Sequence, residues 1–374
     1  MTESIVHSAA DRAAAIMRRS DELATCTSVE GEVTRLYGTP EMRAAFDKVT
    51  GWMEASGMNV TIDNVGNLVG RYLADENVPH PRTFIIGGHL DSVKNAGRYD
   101  GTLGVLSGIA LIEGLASRQK RLPFHIEVIA FANEEGVRYV SYLGSRTLVG
   151  SLSAEDILLV DGGETLTEAV RVFGGDPDKL FEDRRDPGDL LGHIEVHIEQ
   201  GPVLERSDLP VGVVSAISGA TRALVQVHGT AGHAGTVPMN MRQDALTAAA
   251  EFFLAVERLT GAEPGMVGTV GQVTVLPGAS NVIPGNVEAT LDLRHPNDRL
   301  RAGIVQRIQD ELNAIAERRG VRAVWTEVMN NPTVDCDLDL ISRLIDAIAD
   351  EGYEPVQLAS GAGHDAVPLS GITP

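Results

Sequence analysis

The chain has 374 residues, of which 43% are hydrophobic, and a formal net charge of −21. This length exceeds what one hydrophobic core usually supports, so we expect two domains. The acidic balance argues against nucleic acid or a membrane as a partner, and no apolar run approaches the roughly 20 residues that span a bilayer. Two cysteines, Cys26 and Cys336, are too few for a disulfide framework or a cysteine-rich zinc site, which favours a cytoplasmic location.

The first half of the chain alternates predicted helices and strands. Residues 1–24 show the pattern of an amphipathic helix rather than that of a signal peptide. Thr39-Pro40 has the composition of a helix start, and Asn64-Val65-Gly66 that of a hairpin turn. The further predicted elements are a strand ending at 86, a helix over 103–115, and strands over 126–131 and 194–198. This alternation predicts a mostly parallel sheet.

The second half changes its pattern near residue 212. Strands are predicted over 222–227, 267–276, 287–293 and 321–328, and helices over 242–259 and 300–315. The order β-α-β-β-α-β is the ferredoxin-like pattern. We therefore predict an α/β domain (1–212), an inserted α+β domain (213–330), and a return to the first domain (331–374).

Polar side chains follow the apolar strands of the first domain. The clusters are His89, Asp91 and Asp100; Glu134 and Glu135; His193 and His197 with Gln200; and His364 with Asp365. Because the carboxyl ends of parallel strands carry the sites of open α/β sheets, we expect these clusters to meet, with His193 at the opposite edge. Individually, each could be a solvated loop.

The Glu134-Glu135 pair is the most informative cluster. Two adjacent glutamates are costly to bury unless they are paired or bound to a cation. One can ligate a metal while the other polarises a water molecule. A site of imidazoles and carboxylates without thiolates suits Zn, Mn or Co, and two metals sharing a carboxylate would activate a bridging water.

Eight ordered motifs resemble the M20-type metal-dependent amidohydrolases, nearest to allantoate amidohydrolases, N-carbamoyl-L-amino-acid hydrolases and β-ureidopropionases. The motifs are His89-x-Asp91, Asp100-Gly101, Glu134-Glu135-Gly136, His197-Ile-Glu-Gln-Gly201, Gly232-His-Ala-Gly235, Ser280-Asn-Val-Ile-Pro284, Leu293-Arg-His295 and Ser360-Gly-Ala-Gly-His-Asp365. The segment from Gly232 to Asp244 favours the allantoate branch. The resemblance implies a dinuclear metallohydrolase domain with a ferredoxin-like lid and dimerisation domain.

The resemblance also implies roles for the residues of the first domain. His89 and His197 would bind one metal, Asp100 would bridge, and Glu135 would bind a second metal. Glu134 would be the general base. Asp91 would orient His89 from outside the metal shell.

In the insert, the resemblance implies that His233 stabilises the oxyanion in the partner subunit of a homodimer. Asn281 and Arg294 would hold the substrate carboxylate, and Gln200 would contact the ureido group. Gly361 and Gly363 would line the substrate site. Without the family, a surface ion pair with a nearby Asp is the expected role of Arg294.

The resemblance departs at the end of the chain. Related enzymes continue to a late His that ligates the second metal, whereas this sequence stops at Pro374. The pattern therefore predicts two divalent metals, Zn or Mn, in a complete enzyme and a doubtful second site here.

The predicted function is hydrolysis of a ureido C–N bond in a small carboxylate substrate, in the first place allantoate. N-carbamoyl-L-amino-acid or β-ureidopropionate hydrolysis is the alternative within the class. A non-catalytic ligand-binding or dimerising relative is the alternative outside it, because one expected metal ligand is missing.

Overall fold

The computed structural model describes residues 8–374, which divide into two compact units. The first unit comprises residues 8–207 and 364–374, and the second comprises residues 208–363. The N-terminal amphipathic helix is observed over Ala9–Ala24, while residues 1–7 of that prediction lie outside the described residues. Within residues 8–374, no helix combines the length and apolar character needed to cross a membrane.

The first unit contains strands and helices in alternation. Its strands are β1 (Asn59–Ile62), β2 (Leu68–Tyr72), β3 (Thr83–His89), β4 (His125–Phe131), β5 (Val160–Asp161), β6 (Glu164–Thr165) and β7 (Leu190–Glu195). Its helices are α1 (Ala9–Ala24), α2 (Pro40–Ala55), α3 (Thr102–Ser117), α4 (Leu143–Val149), α5 (Ala154–Ile157), α6 (Leu166–Val172), α7 (Val203–Arg206) and, after the second unit, α11 (Ala366–Leu369). Two 3-10 turns cover Leu180–Asp183 and Pro187–Asp189.

The main sheet of the first unit has the order β1-β2-β4-β3-β7. Strands β4, β3 and β7 are parallel, as the sequence predicts, whereas β1 and β2 join in antiparallel pairing. Almost every residue of β3 and β4 is buried, because helices and loops cover both faces. The carboxyl ends of β3 and β4 therefore lie side by side, with His89 paired to Phe131.

Local sequence signals explain where these elements begin. Thr39 caps α2 by accepting a hydrogen bond from the amide of Met42, with Pro40 in the first turn. The β1–β2 turn is held by Asp63, whose Oδ1 accepts from the amides of Val65, Gly66 and Asn67. Both features are confirmed predictions.

Helix α3 packs on β3 through glycines. A Cβ on Gly104 would lie 2.3 Å from the carbonyl oxygen of Gly87 and 3.1 Å from that of Val196. Real Cβ atoms do not approach backbone so closely, so only glycine permits this contact. The close approach sets the position of the chain segment that leads from Asp100 into α3.

The second unit contains three sheets and three long helices. Its strands are β8 (Val213–Ile217), β9 (Gly219–His228), β10 (Gly232–His233), β11 (Val267–Leu276), β12 (Val282–Ile283), β13 (Asn286–His295), β14 (Arg322–Asn331), β15 (Val334–Asp335) and β16 (Gln357–Ser360). Its helices are α8 (Ala245–Gly261), α9 (Asp298–Arg319) and α10 (Leu338–Asp350), with a 3-10 turn over Met239–Met241.

The larger sheet of the second unit is antiparallel, with the order β11-β13-β9-β14. Helices α8 and α9 share one hydrophobic core with this sheet, which includes Val225, Phe252, Leu291 and Ile308. This is the β-α-β-β-α-β order predicted from the sequence. The opposite face of the sheet carries alternating polar residues, because successive side chains of a strand point to opposite faces.

Two predicted boundaries differ from the structure. Residues 331–363 belong to the second unit instead of returning to the first, because β15 and β16 pair with β8 in a separate three-stranded sheet. The strand predicted over 194–198 is observed as β7, which ends at Glu195, so His197 follows the strand instead of closing it. Apolar content alone did not distinguish these alternatives, since both segments contain short apolar runs.

The glycine contact between α3 and β3 predicts an opposite effect for two helical Gly→Ala substitutions. Gly104→Ala should destabilise the protein by about 1–3 kcal/mol, because the new methyl group overlaps the backbone of β3. Gly51→Ala in α2 has no atom within 4 Å of the added Cβ, so it should stabilise by about 0.5–1 kcal/mol. Denaturant unfolding measures both changes, and equal stability of the two variants would contradict the contact.

Candidate metal centre and active site

The predicted site residues of the first unit gather at the carboxyl edge of its parallel strands. His89 is the last residue of β3, Glu134 and Glu135 follow β4, and His197 follows β7. Three groups bring potential ligand atoms within 4.8 Å of one another: His89, Asp100 and His197; His89, Glu134 and Glu135; and Glu195, His197 and His364. The predicted ligands are therefore neighbours in space.

Both predicted histidine ligands present Nε2 to this cluster. The Nδ1 atoms of His89 and His197 each lie 2.9 Å from a backbone carbonyl oxygen, those of Asp91 and Ile198 respectively. A carbonyl only accepts, so each Nδ1 carries the proton and each Nε2 keeps its lone pair. The same arrangement orients histidines for metal binding.

Asp100 lies beside His197 at the start of α3. Its Oδ1 is 3.3 Å from Nε2 of His197 and accepts a hydrogen bond of 3.2 Å from Nε2 of Gln200. The next residue, Gly101, has a φ of +68°, and a Cβ there would lie 2.4 Å from the ring of His89. Only glycine at position 101 lets the chain beside Asp100 run this close to the His89 imidazole.

The Glu134-Glu135 turn is held by Asp91. The two carboxylate oxygens of Asp91 accept from the amides of Glu134 (3.2 Å) and Glu135 (3.1 Å). The preceding residue, Asn133, has a φ of +52° and donates its side-chain amide to two carbonyls of the following loop. The turn therefore directs the Glu134 carboxylate towards His89, with 3.8 Å between Oε2 and Nε2.

This geometry differs from the role predicted for Asp91. The Asp91 side chain lies 3.8 Å from Nδ1 of His89, beyond hydrogen-bond distance, and it is the backbone carbonyl of Asp91 that accepts from the ring. The carboxylate instead satisfies two amides of the neighbouring strand end. A sequence motif names the residue but cannot tell which of its two acceptors faces the imidazole.

The electrostatics of the cluster fit a bound cation. Burial and the surrounding carboxylates Asp365, Asp91 and Glu135 raise the pKa of Glu134 to about 11, and burial also raises the pKa of Glu135 to about 7. Burial lowers the pKa of His89 to about 4, so its ring is neutral, as a metal ligand must be. A divalent cation would reverse the carboxylate shifts by supplying the missing opposite charge.

The cluster also contains His364 and Asp365, as the sequence predicts, and Glu195, which it did not indicate. The His364 ring lies 4.5 Å from that of His197, and Asp365 accepts from Oγ of Ser145. Glu195 was not singled out, and both its oxygens are buried without a hydrogen-bond partner within residues 8–374. Its position two residues before His197, on the same side of an extended segment, is the signal that could have found it.

His193 corrects a prediction of its location. It was expected at the opposite edge of the sheet, but its buried ring packs edge-on against Phe131, at 6.0 Å between centroids. Burial lowers its pKa to about 4. The prediction failed because β7 begins at Leu190, four residues before the predicted strand.

In the second unit, His233 and Asn281 share one small hairpin. His233 pairs with Val282 in the β10–β12 ladder, and the amide of Ala234 donates to the carbonyl of Asn281. Nδ1 of His233 accepts from the amide of Gly235 at 3.1 Å. The exposed imidazole therefore carries its proton on Nε2 and is a hydrogen-bond donor there.

Arg294 lies on the open face of the larger sheet. Its Nε and Nη2 donate to the two oxygens of Asp292 at 2.6 and 2.8 Å, and its Nη1 donates to the carbonyl of Gly361 at 2.6 Å. The structure therefore contains the Asp–Arg pair expected without the family. It also joins Arg294 to the loop that holds Gly361 and Gly363.

Residues 85–374 match the profile described as peptidase family M20/M25/M40. The chain belongs to this family.

Two named relatives and one solved structure align with most of this chain. It is similar to an N-carbamoyl-L-amino-acid amidohydrolase of Pseudomonas sp. (strain NS671), at 40% identity over 91% of this chain and 83% of the relative. It is 36% identical to allantoate deiminase 1 of Glycine max, over 94% of this chain and 79% of the relative. A crystal structure of a hydantoinase/carbamoylase family amidase from Burkholderia ambifaria matches with a TM-score of 0.86 at 33% identity, covering 96% and 88% of the two chains.

The M20 site predicts different metal binding for two histidines of one chain segment. His197→Ala removes a ring whose Nε2 faces Asp100, so Zn²⁺ affinity should fall at least about tenfold. His193→Gln should retain Zn²⁺, because His193 belongs to none of the three ligand groups within residues 8–374. Calorimetric titration of both folded variants with Zn²⁺ measures this, and equal loss from both would remove His197 from the ligand set.

Proposed function

We propose that the chain is a metal-dependent amidohydrolase that cleaves a ureido C–N bond in a small carboxylate substrate. The observation that carries the proposal is the Glu134-Glu135 turn beside the His89, Asp100 and His197 cluster. This site lies in a chain that is 40% and 36% identical to relatives named for ureido substrates. The products would be ammonia, carbon dioxide and the remaining amine.

The ligand set proposed for the metal comes from the three strand ends. His89 and His197 would hold one divalent ion through Nε2, Asp100 would bridge, and Glu135 would serve a second ion. This mixed nitrogen and oxygen set suits Zn or Mn. A bound ion lowers the pKa of a water molecule and stabilises negative charge on a carbonyl oxygen.

Glu134 is the proposed general base. Its carboxylate points into the cluster from a turn fixed by Asp91, so it can take a proton from the attacking water and pass it to the leaving nitrogen. Burial of the turn excludes bulk water, which would compete for that proton. Asp91 acts indirectly, since it positions the turn through two backbone amides.

The second unit would supply the groups that bind substrate. His233 donates from Nε2 and could stabilise the oxyanion of the tetrahedral intermediate. Arg294 and Asn281 would bind the substrate carboxylate, Gly361 and Gly363 would line the site, and Gln200 of the first unit would contact the ureido group. Supporting this, Arg294 carries a planar fork suited to a carboxylate.

A lid and dimerisation role is proposed for the α+β unit. Strand β11 is an edge strand, and much of it is exposed, including Val267, Val273 and Leu276. Exposed edges invite pairing with another chain. Pairing of two β11 edges would form a homodimer in which His233 can act on the partner's substrate.

Allantoate is the first candidate substrate, from the motif between Gly232 and Asp244. A specific observation favours a second candidate: the carbamoyl-amino-acid relative shares 40% identity, against 36% for the allantoate relative. Both substrates combine a ureido group with a carboxylate, so they share the proposed chemistry and binding groups.

Ammonia release from metal-loaded protein tests the proposal with both substrates. Turnover of allantoate above that of N-carbamoyl amino acids would support the first candidate, and the reverse order the second. Glu134→Gln should abolish turnover with either substrate and leave metal content near wild type, because it removes the base and not a ligand. Absence of ammonia from both substrates with Zn²⁺, Mn²⁺ and Co²⁺ would contradict the proposed function.

The dimer proposal predicts complementation between two inactive variants. A mixture of His233→Ala and Glu134→Gln should regain activity, since a hybrid dimer contains one site with both groups intact. The upper limit is about one quarter of wild-type activity, because half of randomly mixed dimers are hybrids with one active site of two. Light scattering and labelled-subunit exchange provide the control, and no recovery in an exchanging mixture would place His233 in its own subunit's site.

A further inference from the structure

Three side chains form a hydrogen-bonded row across two strands of the second unit. Asp292 of β13 lies directly opposite Arg222 of β9, and Arg294 follows Asp292 by two residues on the same face of the sheet. Oδ2 of Asp292 accepts from Nε of Arg222 at 2.8 Å and from Nη2 of Arg294 at 2.8 Å. Oδ1 accepts from Nε of Arg294 at 2.6 Å. Asp292 thus holds two arginines at once.

We propose that Asp292 is a positioning residue that fixes the guanidinium plane of Arg294 for a substrate carboxylate. This inference rests on the proposed function, in which Arg294 binds that carboxylate. It adds Asp292 and Arg222, which none of the eight motifs includes, to the binding apparatus.

The contacts constrain the guanidinium at all three of its nitrogens. Asp292 engages Nε and Nη2 as a bidentate pair, and the carbonyl of Gly361 engages Nη1. A guanidinium has five N–H donors, so it can be held by such acceptors and still donate to a ligand. An arginine side chain otherwise loses rotamer entropy when it is immobilised, and this arrangement removes much of that cost before the substrate binds.

The charges of the row also favour an anion. Although partial burial opposes it, hydrogen bonds from Arg294 and Arg222 lower the pKa of Asp292, so its carboxylate is ionised at neutral pH. One negative charge then lies between two positive charges. The three side chains together keep a net charge of about +1, in a chain whose formal net charge is −21. Asp292 alone would neutralise Arg294, and the positive charge of Arg222 offsets that neutralisation.

A surface ion pair without function is the competing explanation. Exposed pairs contribute little to stability and can be removed without effect. The two explanations predict opposite results for a variant that removes the negative charge. Asp292→Asn raises the net charge of the row, so charge alone would strengthen anion binding, whereas loss of positioning would weaken it.

The experiment measures steady-state kinetics of the metal-loaded Asp292→Asn enzyme with whichever ureido carboxylate the wild type hydrolyses. We expect KM to rise about tenfold while kcat changes less than about threefold, because binding of the carboxylate is impaired and the reacting groups are untouched. The matching substrate with a carboxamide in place of its carboxylate should show no such increase. An unchanged or lowered KM for the carboxylate substrate would overturn the proposal.

Two variants of the same strand serve as controls. Glu288→Gln removes a carboxylate on the same face of β13, one that accepts from Gln226 and lies six residues before Arg294, so its KM should equal that of wild type. Asp292→Glu retains the carboxylate and should recover part of the lost affinity. Circular dichroism melting identifies general unfolding, which would affect both substrates alike.

A double-mutant cycle separates this inference from the proposed function. Arg294→Lys should itself raise KM, and adding Asp292→Asn should raise it no further, because Asp292 acts through Arg294. Independent, multiplicative effects would overturn the positioning role and leave the function intact. If wild type hydrolyses ureido carboxylates and Arg294→Lys leaves KM unchanged, Arg294 does not bind the substrate carboxylate, and this inference fails while the proposed function stands. If wild type neither binds nor hydrolyses them, the proposed function fails as well.

Discussion

The carboxylate of Asp91 joins the ends of two neighbouring strands, and the geometry of the cluster of potential metal ligands depends on it. It lies just beyond β3, and its two oxygens accept from the amides of Glu134 and Glu135, just beyond β4. Parallel pairing of β3 with β4 brings these ends within reach. The hydrogen bonds then set the direction in which Glu134 and Glu135 project. An apolar residue at 91 would leave two buried amides unsatisfied.

The cluster that results concentrates negative charge away from water. Glu134, Asp91 and Asp365 are buried, and desolvation raises the pKa of each, with repulsion from neighbouring carboxylates adding to the rise for Glu134 and Asp365. Such a site is unfavourable for the isolated protein and favourable for a protein that binds a divalent cation. The buried carboxylates therefore lower the stability of the protein locally, as is common at functional sites that bind cations or transfer protons.

The two units present different hydrogen-bonding groups. The first unit presents acceptors: carboxylates and imidazoles whose Nδ1 atoms are blocked by carbonyls. The second unit presents donors: Nε2 of His233 and the guanidinium of Arg294, each held by partners within that unit. Acceptors suit a metal and a water proton, whereas donors suit the negative charges of a ureido carboxylate and its tetrahedral intermediate.

The types and approximate bounds of the regular elements follow from the sequence, because capping residues, apolar periodicity and turn residues act over a few positions. Thr39-Pro40 and the hairpin around Asp63 are examples. The residues that meet at the site were also predictable, since polar residues after parallel strands share one edge. Tertiary structure decided what depends on distant partners: that the Asp91 carboxylate accepts from amides and not from the imidazole, that Glu195 and His193 lie beside the cluster, that β15 and β16 pair with β8, and that Asp292 also holds Arg222. Those outcomes depend on packing between segments tens to hundreds of residues apart, and on which atom of a side chain faces its neighbour. Apart from the two-residue spacing of Glu195 and His197, local sequence carries no signal for either.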